Sequence, residues 1–374
     1  MKHRFGRVAL ALFLALALLA AACGEDDDSN EEGGSDTTAA AGDDGGEGGD
    51  AADFSACQVT DTGGVDDRSF NQTAFAGVEQ AESELGIEGS VLESQAESDF
   101  EPNINAFLQQ ECDLIVTVGF LLGDATQAAA EANPDQKFAI VDVDFFDTDA
   151  GEDISYDNVR ELTFSTDQAA FLAGYVAAGM TESGTLGTYG GINIPPVTIF
   201  MNGFEAGMNY YNEQKGTDVQ LIGWSSEDQD GLFTGDFEDQ DKGRQVTESL
   251  LDEGADIIMP VAGPVGLGSV EAVRADGGDA KLIWVDTDGC ESAPDACDLL
   301  LTSVMKNMDV AVFDTIESAV NDEFEGGLYT GTLENEGVGL APYHEFEEQV
   351  PQELKDEVEQ LQQDIIDGTV TVGG

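Results

Sequence analysis

The stretch from Cys57 to Asn71 decides the fold, and its sequence is CQVTDTGGVDDRSFN. β-Branched residues near its start predict a short strand, and Gly63-Gly64 then permits backbone angles that other residues avoid. After this turn, Asp66 or Asp67 can cap a helix whose apolar residues recur at helical spacing from Phe70 onward. A strand that ends in such a turn brings polar residues to the carboxyl edge of a parallel sheet, where open α/β folds bind ligands. The stretch therefore predicts one wall of a small-molecule site.

The rest of the chain repeats this alternation of strand, turn and helix. Apolar runs that end in glycine or aspartate alternate with helical patterns in two series, one over residues 58–142 and one over residues 186–286. Such alternation is typical of doubly wound parallel sheets. We expect an α/β fold with two doubly wound parallel-sheet lobes, which face each other across a cleft and are joined by a multi-strand hinge. Periodicity alone does not assign the tail after residue 299 to either lobe.

The 374 residues divide into four expected parts. A charged head and an apolar run at the start predict a signal peptide, too short for a membrane span. A following segment of small and acidic residues predicts a flexible tether, because it cannot bury enough apolar surface to fold. The expected boundaries are 1–22 for the signal peptide, 23–52 for the tether, 53–160 plus about 299–325 for the N-terminal lobe, and 161–298 plus about 326–374 for the C-terminal lobe.

Cys23 follows the apolar run directly. The segment Leu19-Ala-Ala-Ala-Cys23 is similar to a bacterial lipobox, although its leucine stands four residues before the cysteine instead of three. We therefore expect Cys23 to be lipidated and to hold the protein on the extracytoplasmic face of the cell membrane. Ordinary secretion with an unmodified Cys23 is the alternative.

The charge balance excludes several classes of partner. The formal net charge is −64, with 13 Lys and Arg against 77 Asp and Glu. Nucleic acids and anionic membrane surfaces require a basic patch, which this composition does not supply. We assign the acidic excess to solvation in a saline environment. A basic residue placed directly after an apolar strand, such as Lys306, is therefore conspicuous.

The remaining cysteines are Cys57, Cys112, Cys290 and Cys297. An even number in an exported chain favours disulfides. Cys290 and Cys297 close a short loop, and Cys57 and Cys112 each precede an apolar strand, so that neighbouring strands would bring them together. Four buried thiols are the alternative.

Enzymatic and metal chemistry find little support in the sequence. The chain after the signal peptide has one histidine, His344, and no Gly-x-Ser-x-Gly motif. The acid-rich run 228–241 departs from the calcium-loop pattern at Gly231 and Leu232. The glycines from Gly263 to Gly268 lack the order and the lysine of a phosphate loop. No metal, no cofactor and no catalytic residue is predicted.

Eight short motifs recur in the order of a known family. They are Asp61-Thr-Gly-Gly with Ser69-Phe70-Asn71, Val118-Gly-Phe-Leu-Leu-Gly-Asp124, Phe171-Leu-Ala-Gly-Tyr175, Gly190-Gly191-Ile, Gly203-Phe204-Glu-Ala-Gly207, Gly254-Ala-Asp256, Val285-Asp286-Thr-Asp288 and Ser303-Val-Met-Lys306. Together they resemble the basic membrane protein family, lipoprotein substrate-binding proteins of ABC transporters of which the purine nucleoside receptor is the best understood. The resemblance covers about residues 57–320.

The resemblance implies a type I periplasmic-binding-protein fold that closes on a purine nucleoside. In the family, aromatic residues sandwich the base, and Phe70 and Phe204 stand at the matching positions; without the motifs, both would be assigned to the core. The other ligand-binding positions implied are Asp124 at the base edge, Asp61 and Asn71 in the same pocket, Asp286 and Lys306 at the ribose, where Asp288 is a further candidate, and Gly263 in the cleft.

The same resemblance implies the partners. We expect a monomeric receptor that is anchored through its lipid and delivers the nucleoside to an ABC permease and its ATPase. Two alternatives remain open from the sequence: a receptor for a sugar-like ligand or signalling molecule on the same fold, or a nucleoside hydrolase that uses carboxylates.

Overall fold

The computed structural model describes residues 53–147 and 151–372. The signal peptide, the tether and Cys23 lie outside the described residues. Within them, parallel sheets and helices alternate along the chain, and the sheets belong to two lobes.

The N-terminal lobe is built on a parallel sheet with strand order β2-β1-β3-β4-β7-β15. Helices α1 and α9 cover one face of this sheet, and α2 and α3 cover the other. Both faces are therefore buried, which explains the continuous apolar run of β3. The strands are β1 (Ser55–Val59), β2 (Glu88–Leu92), β3 (Leu114–Val118), β4 (Lys137–Val141), β7 (Val159–Phe164) and β15 (Gly327–Gly331), with a small ribbon of β5 (Phe146–Asp147) and β6 (Glu152–Asp153); the helices are α1 (Phe70–Leu85), α2 (Phe100–Gln109), α3 (Gly123–Ala132) and α9 (Met308–Val320).

The C-terminal lobe repeats this plan with strand order β9-β8-β12-β13-β14-β16, in which β16 runs antiparallel to β14. Helices α4 and α5 pack on one face, and α6 and α7 on the other. The strands are β8 (Thr185–Gly190), β9 (Gln220–Ile222), β12 (Ile257–Val261), β13 (Lys281–Asp286), β14 (Leu300–Lys306) and β16 (Val338–Leu340), with a ribbon of β10 (Trp224–Ser225) and β11 (Asp230–Gly231); the helices are α4 (Thr166–Met180), α5 (Pro195–Lys215), α6 (Gln240–Asp252), α7 (Gly266–Asp276), α8 (Gly289–Ser292) and α10 (Gln352–Ile366).

The tail places its strands differently from the sequence expectation. Residues 300–306 form β14, which pairs with β13 in the C-terminal lobe, whereas residues 327–331 form β15, which pairs with β7 in the N-terminal lobe. The short connection after β13 returns the chain to the neighbouring position of the same sheet, and α9 then carries it across to the other lobe. In the described part of the chain, the lobes are thus joined after β7, after β14 and between β15 and β16.

Helices α4 and α5 approach each other unusually closely. A Cβ on Gly174 would lie 2.1 Å from the carbonyl oxygen of Phe204, and a Cβ on Gly207 would lie 1.9 Å from that of Phe171. Only glycine fits at both positions, so the two backbones can touch. This contact fixes which side of α5 faces the core and which side faces the cleft.

The structure pairs Cys57 with Cys112 and Cys290 with Cys297 in disulfides, the two pairs expected from the sequence. Cys57 lies in β1, and Cys112 precedes β3, the strand beside it. Among the described helices, none combines the length and the apolar character that crossing a membrane requires.

Candidate functional site

A cavity lies where the carboxyl edges of the two sheets face each other. Its empty volume is about 600 Å³, including the part that opens to solvent. Both lobes line it, with rings from Phe70, Phe120, Phe200 and Phe237 and polar groups from Asp61, Asp67, Asn71, Asp142, Asp286 and Lys306.

Asp61, Asp142, Asp286 and Lys306 reach the cavity because each stands at or near the carboxyl end of a strand, whereas Asp67 and Asn71 reach it from the start of α1. Asp142 follows β4 in one lobe, and Asp286 ends β13 in the other. Both have left-handed backbone angles, with φ of 69° and 71°, which aspartate tolerates better than most residues. Such conformations concentrate at functional sites.

Lys306, at the end of β14, reaches across the cleft to Asp142 of the other lobe. Its Nζ lies 2.5 Å from an Asp142 carboxylate oxygen, and the side chains of Lys306 and Asp142 are 2% and 8% exposed. The same Nζ lies 4.8 Å from the ring centroid of Phe70 and 5.3 Å from that of Phe164. The ammonium is therefore held by a carboxylate and by two aromatic faces.

A second polar contact joins the lobes at the first turn of α1. The Ser69 hydroxyl donates to Oδ2 of Asp286, at 2.8 Å. Ser69 precedes α1 at the N-cap position, yet its side chain makes no capping bond. Asp67 does the capping instead and accepts from the backbone N–H groups of Asn71 and Gln72. The sequence prediction that Asp66 or Asp67 caps this helix is confirmed for Asp67.

Asp61, Asp67 and Asn71 form a buried polar cluster on the N-terminal wall. The Asn71 Nδ2 group donates to Oδ1 of Asp61 at 2.7 Å and to Oδ2 of Asp67 at 3.1 Å. Asp61 also accepts from the backbone N–H of Gly63. The glycine turn thus serves the site as well as the fold.

Burial raises the pKa of every carboxyl group in the cavity. Desolvation is the main cause for Asp61, Asp142 and Asp286, and the positive charge of Lys306 opposes it for Asp142 and Asp286. Desolvation raises the pKa of Asp67 to about 7, against three backbone N–H bonds that lower it. A site that has this many acids beside one ammonium favours uncharged ligands rich in hydroxyl and N–H donors, and it repels phosphates.

Six of the eight predicted ligand-binding positions line this cavity: Asp61, Phe70, Asn71, Gly263, Asp286 and Lys306. Asp124 and Phe204 do not. Asp124 is exposed in the first turn of α3 and lines a separate groove between α2 and α3, because a 3₁₀ turn over Phe120–Leu122 intervenes before the helix begins. Phe204 is fully buried, on the part of α5 that touches α4. The structure therefore places neither residue in the lining of this cavity.

Five aromatic or acidic residues line the cavity but are absent from the predicted ligand set: Asp67, Phe120, Asp142, Phe200 and Phe237. Phe200 lies one helical turn before Phe204 and lines the cavity in its stead. Phe237 comes from the loop before α6. Asp142 pairs with Lys306, and a signal for it was present, since Val141-Asp-Val-Asp144 repeats the pattern of Val285-Asp-Thr-Asp288 at the end of the equivalent strand.

Comparisons with known proteins show the family of this chain. A model of the Bmp family, described as ABC transporter substrate-binding protein PnrA-like, matches residues 54–374. The ABC transporter nucleoside-binding protein BmpA of Lactococcus lactis subsp. cremoris is 32% identical over 337 residues, which cover 86% of this chain and 89% of that protein. Basic membrane protein A of Borreliella burgdorferi is 31% identical over 313 residues, with 83% and 85% covered.

A solved structure supports the same assignment. The ABC transporter solute-binding protein from Aeropyrum pernix K1 matches with a TM-score of 0.75 and 28% identity, over 85% of this chain and 92% of that one. This likeness confirms the predicted periplasmic-binding-protein fold. The chain therefore belongs to the Bmp family of PnrA-like ABC transporter substrate-binding proteins, which are not enzymes.

Proposed function

We propose that this protein is an extracytoplasmic receptor that binds a purine nucleoside between its lobes and delivers it to an ABC permease. The observation that carries the proposal is a cavity lined both by aromatic rings from the two lobes and by buried acids near Lys306. A flat base with a hydroxylated sugar matches these two kinds of lining.

The base would lie among the rings. Phe70 comes from the N-terminal lobe, and Phe200 and Phe237 come from the C-terminal lobe. Stacking on an aromatic side chain contributes about 1–3 kcal/mol per base and does not depend on which base is bound. Asp61 and Asn71, on the wall beside Phe70, would select among bases through hydrogen bonds.

The sugar would lie against the acids. Asp286 and Asp142 can accept from ribose hydroxyls, while Lys306 neutralises them, and Gly263 lets the backbone approach. The surplus of carboxylates favours the nucleoside over the nucleotide. The relative named as a nucleoside-binding protein in Lactococcus lactis supports this ligand class.

Anchoring and delivery complete the proposal. Lipid on Cys23 would hold the receptor at the membrane, and residues 24–52 would act as its tether. The moving bodies would be residues 53–164 with 308–331, and residues 166–306 with 338–366. Closure would follow from a ligand that contacts both lobes, and the closed monomer would dock on the permease and its ATPase.

Calorimetry tests the ligand class. We expect inosine, guanosine or adenosine to bind, ribose alone to bind far more weakly, and inosine 5′-phosphate to bind more weakly than inosine. Equal affinity for ribose and inosine would favour the sugar-receptor alternative. No heat with any purine nucleoside would refute the proposal.

Alanine substitutions distinguish the phenylalanines that line the cavity from Phe204, which lies in the core. Phe70→Ala and Phe200→Ala should each weaken nucleoside binding about tenfold or more, because each removes a stacking surface. Phe204→Ala is the matched control on the same helix. It should leave the affinity within about threefold of the wild type and instead cost about 3–5 kcal/mol of stability, since it opens a cavity in the core.

A further inference from the structure

We infer that Asp67 is a positioning residue, which orients the Asn71 side-chain amide so that its carbonyl oxygen is left to accept a hydrogen bond from an N–H group of the ligand. This inference rests on the proposed function and adds a specificity determinant to it. Asp67 is absent from the predicted ligand set, and its part in the site is indirect.

The contacts of Asp67 make it a rigid acceptor. It is 3% exposed, and its Oδ1 accepts from the backbone N–H groups of Ser69 at 3.0 Å and Gln72 at 3.1 Å. Its Oδ2 accepts from the backbone N–H of Asn71 at 2.8 Å and from the Asn71 Nδ2 group at 3.1 Å. These bonds to the first turn of α1 leave the carboxylate little freedom to turn.

The amide of Asn71 can satisfy this environment in one orientation. Its Nδ2 has two hydrogens, and Asp61 and Asp67 each accept one of them. Above the pKa of about 7 of Asp67, a flipped amide would place its carbonyl oxygen against the Asp67 carboxylate, which is unfavourable. Asp61 and Asp67 together therefore determine that the NH₂ end of the amide is the end that bonds within the protein.

The other end of the same amide is left without a partner. Oδ1 of Asn71 is shielded from solvent and accepts no hydrogen bond from any described residue. Asn71 lines the cavity and is 1% exposed overall. Buried acceptors are nearly always paired in folded proteins, so this oxygen points to a donor supplied by the ligand.

The chemical consequence is a preference among bases. Inosine and guanosine carry an N–H in the six-membered ring, and adenosine carries an amino group on it. Purine riboside has the same size and sugar but no N–H on its base. A site with an unpaired acceptor should reject purine riboside, because binding it would leave Oδ1 buried and unsatisfied.

The test compares dissociation constants for inosine and purine riboside at pH 8, above the pKa of about 7 to which burial raises Asp67. The wild type should bind inosine about tenfold to a hundredfold more tightly than purine riboside, and this preference is the ratio of the two dissociation constants. Asp67→Asn and Asp67→Ser should lower this ratio at least fivefold. Serine also caps helices well, so it keeps the first turn of α1 folded.

Asp99→Asn is the matched control. Asp99 accepts two backbone N–H bonds before α2 in the same lobe, and it does not line the cavity. Its substitution should leave the ratio unchanged. If Asp67 only caps the helix, its variants will lose affinity for both nucleosides equally and the ratio will stay, which overturns the inference.

If both Asp67 variants fail to fold, the wild type alone still tests the inference. A wild-type ratio of the two dissociation constants near one overturns it. The inference can fail while the proposed function stands, when the wild type binds both nucleosides equally. If the wild type binds no nucleoside, the proposed function fails and the inference fails with it.

Discussion

Replacing Lys306 by Met removes the ammonium that joins the lobes and keeps a side chain of similar length. The ion pair with Asp142 is buried on both sides, with side-chain exposures of 2% and 8%. Removing one partner of a buried pair leaves an uncompensated charge, which costs about 3–5 kcal/mol. This loss is a large part of the 5–15 kcal/mol by which a typical protein is stable.

Urea unfolding at pH 8, followed through the fluorescence of Trp224 and Trp284, measures this loss. A double-mutant cycle with Asp142→Asn isolates the pairwise interaction, and we expect the double variant to recover about 2 kcal/mol or more of the loss in Lys306→Met. Lys215→Met is the control, since Lys215 pairs with Glu357 at the surface, with exposures of 32% and 27%. Its substitution should cost under about 1 kcal/mol.

The pH dependence gives a second check. Burial already raises the pKa of Asp142, and Lys306 is what opposes that rise. Without Lys306 the folded-state pKa rises further, so the destabilisation should shrink as the pH falls from 8 to 5 and Asp142 takes up a proton. A coupling energy below about 1 kcal/mol, or an equal deficit at both pH values, would refute the reasoning.

Further predictions concern the buried acid and the disulfides. The pKa of Asp67 in the folded state is about 7, above the usual 3.8, so its contribution to the free energy of unfolding is lost as the pH rises between these two values. Asp67→Asn should therefore reduce the slope of the wild-type decline in the free energy of unfolding by about 1.4 kcal/mol per pH unit. An unchanged slope would contradict the raised pKa. The disulfide of Cys57 and Cys112 closes 55 residues, so its double alanine variant should lose about 4 kcal/mol in chemical unfolding. That of Cys290 and Cys297 spans 7 residues, and its removal should cost less, about 2.5 kcal/mol; the reverse order would count against the loop-entropy argument.

Local signals were sufficient for the first wall of the site. The strand, the glycine turn and the capped helix from β1 to α1 follow from neighbouring residues, and the buried face of α1, with Ala74, Val78 and Ala81, has the predicted spacing. The two parallel-sheet lobes follow from the alternation of elements. These features depend on interactions within about thirty residues, which a sequence displays directly.

Long-range packing explains what the sequence did not predict. Strand β7 carries Arg160 and Glu161, which interrupt its apolar pattern, and it is a strand because β4 and β15 pair with it on both sides. Phe200 and Phe204 lie one turn apart on α5, and the close contact with α4 decides which ring lines the cavity. Neither fact can be predicted from the residues of a single helix or strand.

Helix α9 and strand β15 belong to the N-terminal lobe, although they come from residues 308–331 of a 374-residue chain. As the nascent polypeptide leaves the ribosome, the N-terminal lobe has α1 but not α9 on one sheet face and lacks the edge strand β15 until nearly nine-tenths of the chain has been synthesised. Early folding into a finished domain is therefore prevented by connectivity. The first lobe can therefore be completed only after most of the second lobe has been synthesised.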